Sequence, residues 1–136
     1  MIYERVIQIE FNHCDPAGIV FYPRYFEMTN SVVENFFADV AGRSFARMHL
    51  EGKGGVPTVR LEANFLAPSR LGDKVIFGLE LKRIGGSSLS LTITGWMGDQ
   101  VRMTADLTLV WVDDMRAAPW PEDMRRRMED FMEAKA

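Results

Sequence analysis

The chain has 136 residues, of which 47% are hydrophobic and 26% are charged, and its 19 acidic and 16 basic side chains give a net charge of −3. This length predicts one domain spanning residues 1–136, with room for a sizeable core. The slightly acidic balance argues against a general nucleic-acid binder, so we expect no nucleic-acid partner.

The sequence also argues against membrane, secretory and metal-binding classes. It contains no apolar run near the roughly 18 residues of a membrane span, and no basic-then-apolar start typical of a signal peptide. The only cysteine, Cys14, cannot form an internal disulfide and suits a reducing compartment. Two histidines and one cysteine cannot supply a zinc site alone. We therefore expect a cytoplasmic protein with no membrane partner, no metal and no cofactor.

The first elements are a strand and a long helix. Residues 2–11 alternate in polarity and predict a strand whose inner face carries Tyr3, Ile7, Ile9 and Phe11. From Pro23 the apolar residues recur at three- and four-residue steps, which predicts a helix of four to five turns ending at Gly42. Its wide aromatic face predicts that the helix is largely buried.

The remainder alternates with period two and predicts β-structure followed by a last helix. Gly85-Gly86 and Gly98-Asp99 are typical of tight turns between strands. The predicted segments are a short helix at 43–51, a flexible loop at 51–55, strands at 56–67, 74–83, 89–94 and 101–112, and a helix from Pro121 with an apolar stripe of Met124, Met128, Phe131 and Met132. A helix this apolar needs a sheet curved around it, which indicates an α+β fold.

The segment that begins at Asp15 lies between the first strand and the long helix. Backbone amides at the start of a helix can bind a developing oxyanion, so a carboxylate here is a candidate catalyst. Asp-Pro is also a frequent turn pair, and Asp is a good N-cap. The residues alone therefore leave a turn role and a catalytic role open for Asp15.

Two segments resemble hotdog-fold thioesterases, and the 4-hydroxybenzoyl-CoA thioesterase family most closely. The first reads Asp15-Pro16-Ala17-Gly18-Ile19-Val20-Phe21-Tyr22, and the second runs from Phe65 through Pro68 to Gly72-Asp73. The resemblance covers roughly residues 2–113. It implies a five-stranded antiparallel sheet around the central helix, and a homodimer or homotetramer with the active site at the dimer interface.

The resemblance also implies an acyl-CoA substrate and a set of catalytic residues. Asp15 would attack the thioester directly or activate water, and the backbone N–H near Tyr22 would polarise the carbonyl. Gly18 would allow the backbone to approach the substrate closely.

Other residues near this segment are weaker candidates for substrate contacts. His13 is a base, a substrate contact or a loop histidine, while Tyr25 is more typical of packing. Asn30 interrupts the apolar helix and can bond a substituent on the acyl group, although some aromatic-specific relatives place an acidic group near this point. Cys14 is better explained as a packed side chain than as a nucleophile.

The CoA arm carries phosphates, which usually meet Arg or Lys. Lys82, Arg83 and Ser88 beside the Gly85-Gly86 turn are candidates, with a solvated strand end as the alternative. The neutral turn Gly85–Ser88 departs from benzoyl-CoA relatives, which often carry basic residues there.

The sequence therefore predicts an acyl-CoA thioesterase acting on an aromatic (hydroxybenzoyl-type) or short-chain acyl group. The main alternative is a non-catalytic binder of acyl thioesters or acyl carrier protein on the same fold. A hydratase on this fold is a weaker third interpretation, motivated by His13 on the loop of Asp15.

Overall fold

The computed structural model describes residues 1–134. Its main helices and strands follow one another in the predicted order, and three additional two-residue strands are present, two of them near the carboxyl end. The elements are β1 Ile2–Gln8, a 3-10 turn Phe11–His13, α1 Arg24–Phe36 continued by a π-helical turn Phe37–Ala41, α2 Phe45–Leu50, β2 Gly54–Gly55, β3 Thr58–Phe65, β4 Lys74–Ile84, β5 Ser88–Met97, β6 Gln100–Val110, β7 Val112–Asp113, β8 Arg116–Ala117 and α3 Glu122–Glu133.

The main sheet has five antiparallel strands in the order β1-β4-β5-β6-β3. Its inner face is apolar because alternate residues of each strand point to the same side. Phe77, Leu79 and Ile93 on this face have no exposed surface. The predicted five-stranded sheet is confirmed, and it leaves β1 and β3 as its two edges.

The central helix α1 covers the inner face of this sheet. Met28, Val32 and Phe36 recur at four-residue steps and are each at most 2% exposed. The π-helical turn continues the burial through Phe37, and Gly42 then ends the helix with a left-handed φ of 85°. The sheet wrapped around one long buried helix is the hotdog arrangement that the sequence predicts.

Three predictions about individual segments are wrong. The first strand ends at Gln8, and Phe11 is 84% exposed, because the backbone of Ile9 bonds to the β3–β4 turn and the chain then bends into the 3-10 turn. The loop at 51–55 is not wholly irregular, since its end forms β2 against β7. Met132 lies outside the buried stripe of α3, at 41% exposure. No helix within residues 1–134 is long and apolar enough to span a membrane.

Candidate active site

Asp15 lies in a tight loop that doubles back on itself before α1. The amide of Asp15 donates to the carbonyl of Ile19, and the amide of Phe21 donates to the carbonyl of His13, at 3.0 and 2.9 Å. Cys14 and Val20 consequently face each other in an isolated β-bridge. The loop therefore brings Asp15 and the residues that start α1 to the same end of the molecule.

The carboxylate of Asp15 is held by one oxygen only. Its Oδ1 accepts a hydrogen bond from the amide of Ala17 at 2.9 Å, which is the turn geometry expected for Asp-Pro. Its Oδ2 accepts from no protein donor within residues 1–134. Asp15 thus makes the turn, and it also presents one partly exposed oxygen that can attack a carbonyl or accept a proton from water.

The backbone amide of Tyr22, the predicted oxyanion donor, lies just before α1. The next amides are already used, since Arg24 donates to the carbonyl of Phe21 and Tyr25 donates to that of Tyr22, and Pro23 has no N–H. In the described part of the chain, the amide of Tyr22 donates to no protein acceptor. One N–H at the positive end of the α1 dipole therefore remains for a substrate oxygen.

Gly18 gives this loop its shape. Its φ of 77° lies in the left-handed region, and a side chain built there would meet no atom within 4 Å. Its amide donates to the carbonyl of Asp15 at 2.9 Å. A residue with a Cβ would fit the space but would strain the backbone that fixes the position of Asp15.

The ring of His13 is held by the backbone before it. Its Nδ1 accepts a hydrogen bond from the amide of Glu10 at 2.8 Å, which fixes the orientation of the ring. The ring lines a shallow groove with Glu27 and Ser31 on the flank of α1. His13 is therefore near Asp15 in sequence, and it lines a different surface groove from the aromatic pocket beside Tyr22.

An aromatic pocket adjoins Tyr22. Phe65 at the end of β3 stacks on Tyr25, with ring centroids 5.7 Å apart, and meets the edge of Tyr22 at 5.6 Å. Phe65 is 44% exposed, so the pocket opens to the surface. Its volume is about 250 Å³, and its walls are Ile19, Val20, Tyr22, Tyr25, Phe65, Leu66, Ala67, Pro68 and Ser69.

Asn30 lies in a separate groove. It is exposed on α1, roughly 9 Å along the axis from Arg24 at a rise of about 1.5 Å per residue. The groove has a volume of about 650 Å³, and apolar residues such as Val56, Pro57 and Met115 form much of its wall. Within one chain the structure brings Tyr22 and Tyr25 together but leaves Asn30 apart from them.

The predicted CoA contacts lie at the far end of β4. Lys82 is eight residues beyond Lys74, about 26 Å at 3.3 Å per residue, while the Lys74 end adjoins the loop of Asp15. Lys82 pairs with Glu80 at 3.2 Å, and Arg83 lines a shallow groove against α3. The carbonyl of Ser88 accepts the indole N–H of Trp120 at 3.0 Å, which ties the turn to the chain before α3.

The sequence interpretation missed three residues beside the loop of Asp15. Phe65 could have been found, because it falls on the inner face of the β3 pattern. Ser69 is fully buried and its carbonyl accepts the amide of Val20 at 2.9 Å. Arg102 is 8% exposed, and in sequence it looks like one more charged residue in an alternating strand.

Burial and ion pairing shift the pKa values of two groups in this region, Tyr25 and Asp73. Burial raises the pKa of Tyr25, whose hydroxyl is inaccessible and unbonded. The hydrogen bond from Arg102 holds the pKa of Asp73 below its usual value. No group of three or more His, Cys, Asp or Glu side chains within residues 1–134 is arranged to hold a metal ion.

Comparisons with known proteins place this geometry among thioester hydrolases. Residues 36–104 match the family model of the Thioesterase superfamily. A 4-hydroxybenzoyl-CoA thioesterase of Pseudomonas sp. (strain CBS-3) is 30% identical over an alignment of 128 residues, and the match covers 85% of this chain and 89% of that protein.

Two solved structures share the fold at low identity. A 1,4-dihydroxy-2-naphthoyl-CoA thioesterase from Synechocystis superposes with a TM-score of 0.87 at 17% identity, covering 98% of this chain and all of that one. A protein from Staphylococcus aureus in complex with CoA superposes with a TM-score of 0.92 at 15% identity, covering 100% and 87% of the two chains.

Proposed function

Because the chain belongs to the thioesterase superfamily and is a hotdog-fold thioester hydrolase, we propose that it hydrolyses an acyl-CoA thioester with Asp15 as its catalytic carboxylate. The proposal rests on two polar groups that have no hydrogen-bond partner in the described chain and that lie on the loop leading into α1. The Oδ2 atom of Asp15 and the amide of Tyr22 are both without protein partners in the described chain, and they lie on one short loop.

The proposed chemistry divides the work between these two groups. The thioester carbonyl accepts the N–H of Tyr22, and Asp15 either attacks the carbonyl carbon or removes a proton from an attacking water. Direct attack releases the CoA thiolate and leaves an anhydride on Asp15, which water then cleaves. One oxyanion donor of this kind typically stabilises the transition state by about 3 kcal/mol.

The aromatic pocket favours a flat acyl group or a short one. Tyr25 and Phe65 are stacked with an interplanar angle of 22°, and Tyr22 closes the side of the pocket. A ring can pack against these faces in offset or edge-on geometry. The relative from Pseudomonas is a 4-hydroxybenzoyl-CoA thioesterase, which supports an aromatic acyl-CoA as the first substrate to test.

A dimer through β3 would complete the site. This edge strand exposes apolar side chains, with Val59 at 61% and Leu61 at 39%, and such an edge readily pairs with a second strand. Two-fold antiparallel pairing places the Phe65 end of one strand beside the Thr58 end of its partner. The Asn30 groove, which includes Thr58, would then adjoin the aromatic pocket of the other protomer.

The dimer can be tested with matched edge variants. Val59→Asp on β3 should shift the protein to monomer in analytical ultracentrifugation and remove most activity. Val6→Asp is the control, because Val6 is 60% exposed on the other edge strand, β1. Loss of the dimer in both variants, or in neither, would contradict pairing through β3.

The substrate can be tested with a panel of thioesters. We expect kcat/KM to be highest for benzoyl-type or short acyl-CoA and to fall for long chains, because the pocket beside Tyr22 holds only about 250 Å³. Asn30→Ala should change the ranking of ring substituents if the acyl group reaches the partner's groove. If no thioester in the panel is hydrolysed, and an acyl ligand is retained after purification, the result would favour the non-catalytic binder.

The role of Asp15 can be resolved with isotope labelling. In a single turnover in 18O-water, a general-base mechanism puts the label directly into the acid product. Nucleophilic attack leaves an unlabelled acid and a labelled Asp15 in the first turnover when water attacks the Asp15 carbonyl of the anhydride, so label on Asp15 identifies the nucleophilic route. Hydration of an enoyl-CoA in the same preparation would instead indicate the hydratase interpretation.

We also propose that residues 1–136 act as one domain in the cytoplasm. The hotdog architecture already uses the described elements from β1 to α3, and the only cysteine, Cys14, is not disulfide-bonded. Fractionation of cells that express the full chain tests the location.

A further inference from the structure

A buried ion pair lies directly beneath the loop of Asp15. The Nη1 atom of Arg102 lies 2.8 Å from the Oδ2 atom of Asp73 and 3.2 Å from both the hydroxyl of Ser69 and the carbonyl of Pro68. The side chain of Arg102 is 9% exposed and that of Asp73 21% exposed. The β3–β4 turn comprises residues 66–73, and the side chain of Arg102 therefore ties its middle, at Pro68 and Ser69, to its last residue, Asp73.

The rest of the β3–β4 turn is bonded to the same two residues. The carbonyl of Arg102 accepts the amides of Leu66 and Ala67, at 2.9 and 3.2 Å. The Oδ2 atom of Asp73 accepts the amide of Arg70 at 2.9 Å. The conformation of the turn is thus specified by Arg102 and Asp73, not by tight packing alone.

The β3–β4 turn in turn holds the loop that carries Asp15. The carbonyl of Ser69 accepts the amide of Val20 at 2.9 Å, and the amide of Leu71 donates to the carbonyl of Gly18 at 3.2 Å. Ile19 and Arg70 form an isolated β-bridge between these contacts. These two hydrogen bonds, which together make up the bridge, therefore connect the turn to residues three to five positions from Asp15.

We propose that Arg102 and Asp73 are positioning residues of the catalytic centre, acting through the β3–β4 turn on Asp15 and on the amide of Tyr22. This inference rests on the proposed function, since it assigns the ion pair to the placement of those two groups. A shift of about 1 Å in a reacting group can reduce a rate by about 100-fold, so small movements of the turn suffice. Neither residue lines the aromatic pocket beside Tyr22.

The test compares Arg102→Met with variants matched for stability and charge. Met128→Ala creates a cavity in the buried face of α3, and Arg47→Met removes an exposed ion pair with Glu51 on α2. We expect Arg102→Met to lower kcat by about 10- to 100-fold with KM within about threefold, at a temperature where all variants are folded. The two controls should keep wild-type kcat under the same conditions.

Two further readouts separate positioning from a general loss of structure. In the Asp15→Asn background, Arg102→Met should lower the residual rate by much less than it does in the wild type, because the part of its effect that acts through Asp15 is already lost. Hydrogen exchange at the amides of Val20 and Leu71 should accelerate at least about tenfold in Arg102→Met and stay unchanged in Met128→Ala. Wild-type kcat and wild-type exchange in folded Arg102→Met would overturn the proposal.

If Arg102→Met does not fold, Asp73→Asn can replace it in the same kinetic and exchange measurements, because the amide keeps the shape of the carboxylate and removes its charge. A different experimental result would show that the proposed function itself is wrong. Full activity in Asp15→Asn would reject Asp15 as the catalyst, while the exchange at Val20 and Leu71 would still report whether Arg102 holds the loop.

Discussion

Replacement of Gly18 by alanine tests whether the shape of the Asp15 loop matters for catalysis. A Cβ at Gly18 meets no atom within 4 Å, so the cost comes only from the left-handed φ of 77°. That conformation costs a residue with a side chain roughly 1–2 kcal/mol, which lowers Tm by about 3–7 °C in a chain of this size. If the backbone relaxes instead, the bond from Gly18 to the carbonyl of Asp15 is lost and the carboxylate moves.

Gly98 provides a matched control for this substitution. Its φ is 62°, a Cβ there also meets nothing within 4 Å, and it lies in the β5–β6 turn. Thermal unfolding should give similar Tm losses for Gly18→Ala and Gly98→Ala. A thiol-release assay well below Tm should show at least a tenfold fall in kcat/KM for Gly18→Ala alone. Equal activities in the two variants would refute the reasoning.

Two further predictions concern stability. Burial and the hydrogen bond to Asp39 raise the pKa of Tyr3 to about 12, so the wild type should lose stability as the pH rises from 10 toward 12, where Tyr3 is ionised in the unfolded chain but not in the folded one. Urea unfolding should show this loss in the wild type and a smaller loss in Tyr3→Phe, where only Tyr25 still has a raised pKa among the tyrosines with a shifted value. Met128→Ala should lower the free energy of unfolding by about 2–5 kcal/mol, since the side chain is fully buried, and a loss below about 1 kcal/mol would contradict tight packing there.

The sequence predicts the fold well because its patterns are strong and local. The four-residue recurrence through Met28, Val32 and Phe36 and the strict alternation in β4 and β5 each depend on one element at a time. The end of the first strand was missed because it depends on a distant partner. Ile9 bonds to the turn before β4, which no property of residues 2–11 indicates.

The candidate site could be predicted only in part for the same reason. Asp15, Gly18 and Tyr22 lie within one segment, so a family pattern can locate them. Arg102 lies on β6 and bonds to the β3–β4 turn, which in turn contacts the Asp15 loop. Its burial depends on this packing, which the polar and apolar alternation along the strand does not reveal. Lys82 and Arg83 stay predicted phosphate contacts on residue type alone, and they lie about 26 and 30 Å along β4 from the Asp15 end, by the rise per residue of a strand.

The most direct test of the central claim is the rate of thioester hydrolysis by Asp15→Asn. The amide preserves the size of the side chain and can still occupy the turn, so folding should be retained. With a benzoyl-type CoA thioester, we predict a fall in kcat of at least about 1,000-fold, with an unchanged circular dichroism spectrum and Tm. A wild-type rate in this folded variant would contradict Asp15 as the catalytic carboxylate.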